Sequence, residues 1–299
     1  MRFRLAILVS LAALVLLALP VAALAWSNGP SGANGFGTHD WVLKEANRLA
    51  ATKSAGWVRL SAALHHTDDP DTVFHDTYYH CYDVWGSRYG NAPKKVGEYY
   101  AKALAARKAG NWTAASRYVG LMAHYYADIC NPMHTDQCAA EESIHSSYES
   151  AAQDYTDSPG ENRGWVRFNG YDAATNVVGR VKATAAASHK QYTALVNNYS
   201  ANGMSAGVMS ITANSMNRAA NGLADLIISI QRKVNGGTTA SGGGGGGGGS
   251  SGSTVYITRT GEKYHRGSCG YLSQSKIAIS LADAKARGYA PCSVCRPPT

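Results

Sequence analysis

The sequence predicts an all-α domain followed by a small α+β module, and three observations carry that reading. Apolar residues recur at helical spacing through four long segments between Trp41 and Val234. Strand-type alternation is scarce over the same span. Beyond it, eight consecutive glycines at 242–249 interrupt the chain, and the composition changes after them.

Taken in order, the chain opens with a short basic start, Met1-Arg2-Phe3-Arg4, and an apolar run from Leu5 that ends in Ala23-Leu24-Ala25. This combination is expected to be a secretory signal peptide, residues 1–25, cut between Ala25 and Trp26. An uncleaved membrane anchor is the alternative, and the small-residue ending disfavours it. The mature protein is then expected to be secreted and to begin at Trp26. Residues 26–236 are long enough for one substantial hydrophobic interior. Their helical segments are Trp41–Leu64, Val96–Ala106, Ala114–Ile129 and Met204–Val234. Thr113 is the expected N-cap of the third. Asn131-Pro132 is expected to end it near Cys130, because proline lacks the next backbone donor. Residues 237–253 read as a flexible Gly/Ser linker with no side chains to bury. The module at 254–299 is too short to rely on apolar burial and needs a staple. Within it Val255–Thr258 suggests a strand, and Ser280-Leu281-Ala282-Asp283 a capping-box start for a helix to Arg287.

The formal charge of +8 is unevenly spread: +2 in residues 1–25, +1 in 26–236 and +5 in 237–299. Charge therefore gives the large domain no polyanion-binding surface, and basic character sits in the tail. The six cysteines form two groups of three, Cys81, Cys130, Cys138 and Cys269, Cys292, Cys295, so neither group can pair completely within itself. The cysteines show no activation pattern, which disfavours covalent catalysis through a thiol.

Five of the ten histidines stand at spacings suited to metal binding. His124 and Asp128 are four apart on a strongly helical segment, so both emerge on one face. His145 and Glu149 repeat that arrangement. His134 follows Pro132-Met133 on the intervening loop. His80 sits in His80-Cys81-Tyr82-Asp83, shortly after Asp68-Asp69-Pro70-Asp71, and His39 lies thirteen residues past Trp26. Each part alone has a plainer explanation, a solvated helix face or a turn. His65, His66, His75 and His189 are given that explanation. The ensemble differs, because Met122, Tyr125, Tyr126 and Ala127 make the His124–Asp128 helix a buried one. A buried carboxylate is costly, and zinc is one of the few partners that resolves it.

In this order Trp26, His39, His80-x-Tyr-Asp83, His124-x-x-x-Asp128, Asn131-Pro-Met-His134 and His145-x-x-Tyr-Glu149 resemble the signature of the bacterial zinc-dependent phospholipases C. The resemblance covers most of residues 26–236 and is most specific between His124 and Glu149. It implies three zinc ions. The first would take Asp68, His80, His124 and Asp128, with Asp68 preferred to Asp69 on its spacing from His80. The second would take His134, His145 and Glu149. The third would take His39, Asp128 and the α-amino nitrogen and carbonyl oxygen of Trp26. An α-amino group, with a pKa of about 8, gives up its proton readily near neutrality, and this one is free only after signal cleavage. The resemblance further implies a monomer that meets a membrane surface transiently and hydrolyses glycerophospholipids by in-line displacement with metal-activated water. Asp68 is also the carboxylate placed to take the water's proton.

The superfamily includes the single-strand-specific zinc nucleases, which are the alternative activity; His145-x-x-x-Glu149 favours the phospholipase side. A non-enzymatic, zinc-stabilised surface-binding protein is the alternative class. Family members that prefer choline lipids carry a carboxylate near the N-terminus, and residues 27–38 contain none. In the tail, Tyr264-His265-x-x-x-Cys269 and Pro291-Cys292-x-x-Cys295 resemble the Ada-like Cys-rich metal-binding modules. That implies one structural zinc on His265, Cys269, Cys292 and Cys295; one disulfide with a leftover thiol is the alternative. The tail's charge suggests attraction to an anionic surface.

Overall fold

The computed structural model describes residues 26–28, 36–85, 89–136, 139–156, 164–236, 254–258, 263–273, 275–281, 284 and 289–298. The expected signal segment, the linker, Cys138 and most of the expected 280–287 helix lie outside them. The chain divides into two compact units, Met1–Ala240 and Ser241–Thr299.

The described residues of the first unit are helical. In chain order the helices are α1 (Thr38–Ala51), α2 (Leu60–Leu64), α3 (Ala92–Lys108), α4 (Trp112–Cys130), α5 (Ala139–Glu142), α6 (His145–Gln153), α7 (Val177–His189), α8 (Tyr192–Asn202) and α9 (Ala206–Val234). The segment expected to be helical from Trp41 to Leu64 is two helices, and the chain turns between them with Ser54 in the left-handed region (φ 57°). Helices α7 and α8 lie outside the segments where apolar spacing predicted a helix.

Helix α4 is the axis of the unit. It packs against α2, α3, α7 and α9, and every residue from Val119 to Cys130 is buried. Polar side chains on it must therefore face interior partners. Its N-cap is Asn111, whose side-chain oxygen accepts from the Ala114 amide at 3.0 Å. Thr113, the expected cap, instead accepts from the Arg59 guanidinium at 2.6 Å. Asn131 leaves the helix in an extended conformation, and its side chain accepts from Met133 N at 3.1 Å, opening a short 3-10 turn over Pro132–Thr135. Gly120 sits where α4 meets α2; a β-carbon there would collide with the Ala63 carbonyl.

One extended segment is held without helix or strand. Arg167, Asn169, Asp172 and Ala174 each donate a backbone N–H, all at 3.0 Å, to Asn217, Asn221, Asp225 and Ser229 respectively. Those acceptors recur every four residues along α9, so one helix face satisfies a strap that would otherwise carry orphaned donors.

In the second unit a four-stranded sheet has the order β3-β1-β2-β4, with β1 (Thr254–Ile257), β2 (Lys263–His265), β3 (Ile277–Ser280) and β4 (Ala290–Pro291). Strand β1 is antiparallel to both β2 and β3, and β4 runs parallel to β2. Its apolar cores are small: Val255, Ile257, Tyr264 and Ala284 in one, Cys269, Leu272 and Cys292 in the other. Among the described residues no helix is long and apolar enough to cross a membrane.

Candidate metal centre

In the first unit, three sets of buried donor atoms converge. His124 and Asp128 emerge from α4, and His80 reaches them from the end of a short 3-10 turn. His80 Nδ1 lies 3.0 Å from His124 Nε2 and 3.1 Å from Asp128 Oδ2, and the latter is 3.5 Å from His124 Nε2. Four donors about 2.0–2.1 Å from one ion stand about 3.3–3.4 Å from one another, so these separations suit tetrahedral zinc. In the metal-free protein the same spacing lets His124 Nε2 accept from His80 Nδ1.

The second set is tighter. His134 Nε2, His145 Nε2 and Glu149 Oε1 form a triangle with sides of 3.0, 3.0 and 3.1 Å. Glu149 Oε2 is buried with no hydrogen-bond partner. The third set begins with His39 on α1, whose Nε2 is 3.0 Å from Asp128 Oδ1. Asp128 thus turns one oxygen to His39 and the other to His80 and His124.

Outer partners fix which nitrogen of each ring faces inward. His124 Nδ1 donates to the Thr67 carbonyl at 2.6 Å, and His134 Nδ1 to the His80 carbonyl at 3.1 Å. His145 Nδ1 meets the Glu141 carboxylate. His80 Nε2 faces Asp76 at 3.4 Å, and Asp76 is held by Lys95 at 2.9 Å and the Tyr125 hydroxyl. Asn131 donates to Glu149 at 2.9 Å. Such orientation of ligand rings from outside is the habit of metal-binding histidines.

The cluster's titration follows from crowding. Burial alone would raise the Asp128 carboxyl, but His124, His134 and His39 hold it well below its ordinary range. Burial pulls His145 down while Glu149 and Glu141 push it up, to about 9, and His80 rises to about 10 against burial through Asp128 and Asp76. Burial, joined by the charge of His39, keeps His124 well below its usual value. Protons on the imidazoles supply the positive charge that the buried carboxylates require, a part that zinc plays when bound.

Trp26 is buried, and its indole donates to the Ala127 carbonyl at 3.0 Å, one residue before Asp128. Ser27 accepts from Thr38 N at 2.9 Å, tying the start of the described chain to the residue before His39. The acidic run distributes itself differently from the spacing argument. Asp69 pairs with His66 at 2.7 Å, away from the cluster. Asp68 is buried, and its charge acts on His39. Asp71, the last acid of that run, lies 3.5 Å from His80 Nδ1 and 3.7 Å from His124 Nε2. The donors within 4.8 Å of one another accordingly include Asp71 with His39 and His124. A single π-type turn over Pro70–Phe74 sets which acid faces inward. Ser205 lies in Gly203-Met204-Ser205-Ala206-Gly207, a pentapeptide with the letters of a nucleophile elbow. It only caps α9, accepting from Val208 N at 3.4 Å.

In the second unit His265, Cys269, Cys292 and Cys295 place their donors within 4.8 Å of one another. His265 Nδ1 is 3.2 Å from Cys269 Sγ and 3.9 Å from Cys295 Sγ. None of the three cysteines is in a disulfide.

A helical scaffold with buried His/Asp/Glu clusters whose rings are braced from outside defines a metal-binding helical protein. Residues 42–199 match the zinc-dependent phospholipase C family, and the chain belongs to that family. Among solved structures the fold resembles Clostridium perfringens alpha-toxin from an avian strain, at 18% identity and a TM-score of 0.52, covering 76% of this chain and 70% of the toxin. Clostridium absonum alpha-toxin matches at 16% identity and a TM-score of 0.48, over 68% of this chain and 65% of that one. No curated protein matches in sequence.

Proposed function

We propose that the protein is a secreted trinuclear-zinc phosphodiesterase that hydrolyses glycerophospholipids in the phospholipase C manner, acting on a membrane surface as a monomer. The observation that carries this reading is Asp128, whose two carboxylate oxygens face different histidine sets, as a carboxylate bridging two ions would. His80, His124 and Asp128 hold the first zinc, with the fourth donor from the Asp68–Asp71 turn. The distances of Asp71 to His80 and His124 support it as that donor, with Asp68 the alternative; Asp68, buried beside His39, is then the carboxylate that accepts the proton of the attacking water. His134, His145 and Glu149 would hold the second zinc, a three-donor protein set of the kind catalytic zinc uses. His39, Asp128 and the terminal amine and carbonyl of Trp26 hold the third, once cleavage at Ala25-Trp26 frees that amine. Bound zinc lowers the pKa of water and neutralises charge on the phosphoryl oxygens. The chain's own contribution is to fix those donors in a dry interior and to orient each ring from behind.

In the tail, His265, Cys269, Cys292 and Cys295 hold one structural zinc in an Ada-like module. The exposed Lys263, Arg266, Lys276 and Arg296 attract an anionic surface.

The test is to assay one purified, zinc-loaded mature sample against short-chain glycerophospholipids and single-stranded DNA. Release of diacylglycerol and a phosphorylated head group, abolished by a strong chelator, is expected. Digestion of the DNA with no lipid cleavage would move the protein to the nuclease branch.

A further inference from the structure

We infer that Glu141 is a positioning residue of the second metal set, required for zinc affinity there though it does not face the ion. Resting on the zinc reading above, it concerns a side chain outside the nine assigned ligands.

The inward-facing rings differ in what braces them from behind. His124 and His134 are braced by main-chain carbonyls of Thr67 and His80. No substitution can delete those partners. His145 is braced by a side chain, the Glu141 carboxylate against Nδ1. The contact is set up locally. Glu141 is near the end of α5, the Ile144 amide closes a turn onto the Glu141 carbonyl at 2.9 Å, and His145 opens α6. That turn lays two residues four apart against each other across a helix boundary. Both are almost fully buried, Glu141 at 3% exposure and His145 at 1%. A buried carboxylate needs compensation, and its ion pair among the described residues is with His145.

The chemistry follows from the two nitrogens of one ring. A carboxylate that holds the proton at Nδ1 leaves the lone pair at Nε2, which points to His134 Nε2 and Glu149 Oε1. It also fixes ring rotation and makes the imidazole a stronger donor. Without Glu141 the proton can sit on either nitrogen and the ring can turn. The second set would then keep only His134 and Glu149 as oriented donors.

The experiment measures metal rather than turnover. Wild type, Glu141→Gln and Glu141→Ala, each as the full mature chain, are titrated with zinc against a chromophoric chelator, with helicity followed by circular dichroism. Glu141→Ala should weaken one zinc per chain by roughly 10- to 100-fold and leave the others unchanged. Glu141→Gln, which keeps an oxygen acceptor without the charge, should weaken the same zinc several-fold. Cobalt substitution should show the change in one ion's spectrum only. Three zincs held as tightly by Glu141→Ala as by wild type would overturn the inference. If Glu141→Ala fails to fold, Glu141→Gln decides by the same comparison. A wild-type protein that binds no zinc in the first unit would instead overturn the metal reading itself.

Discussion

At the scale of single residues, Asp128 and the two acids of the neighbouring turn separate the roles. Asp128→Asn removes the charge that faces three histidines at once. It should cost more than the roughly 10–100-fold typical of an outer-partner change, and metal analysis should show more than one zinc lost. Asp71→Asn and Asp68→Asn should part company. The first is expected to lose zinc, and the second to keep its zinc but lose kcat; equal zinc loss in both would return Asp68 to the ligand role. The histidines were legible in the sequence, because i, i+4 pairing on an apolar helix is a strong signal. Asp71 was not, since a π-type turn obeys no period that spacing can reveal. Glu141 and Asp76 could have been found. Each stands four residues before a histidine of the buried clusters, the same interval that pointed to His124/Asp128, run toward the N-terminus.

At the scale of elements, the cluster depends on how closely helices approach. Gly120, one turn ahead of His124, lets α4 come near enough to α2 for His124 to reach the Thr67 carbonyl at 2.6 Å. Gly120→Ala should therefore do two things. Forcing a methyl into that contact costs about 1–3 kcal/mol, lowering Tm by several degrees. It should also loosen the first zinc, detectable by chelator competition. A drop in Tm with unaltered zinc affinity would show that the contact supports the fold alone. Helix α4 itself was readable from its apolar sides and its Asn131-Pro132 stop. Its cap was not, because Asn111 and Thr113 are both good caps and the choice lies with Arg59, which engages Thr113 from a distant part of the chain. Helices α7 and α8 were missed for a related reason: each is largely solvated, with only a few buried residues, so apolar spacing is faint.

At the scale of the whole molecule, the buried cluster links metal to stability. In the metal-free protein His80 and His145 have pKa values raised from 6.5 to about 10 and about 9. A raised pKa favours folding when the group is protonated in both states. That stabilisation is fully present below pH 6.5 and is lost as pH rises through 9 and then 10. Calorimetry of the metal-free protein should accordingly show Tm falling across that window. The zinc-loaded protein should fall less, since its rings carry metal in place of protons. A metal-free Tm that stays level or climbs would contradict the assignment of charge inside the cluster.

The strap from Arg167 to Ala174 has a kinetic consequence. Amides outside helices and strands ordinarily trade their hydrogens with water quickly. Here four of them end on side chains of α9, the longest helix, whose inner face is buried from Ala219 to Ile230. Their exchange can proceed only when the strap lifts from that face. In deuterated buffer the amides of Arg167, Asn169, Asp172 and Ala174 should therefore retain hydrogen far longer than their lack of regular structure suggests. Replacing Asn221 with alanine should release the Asn169 amide first.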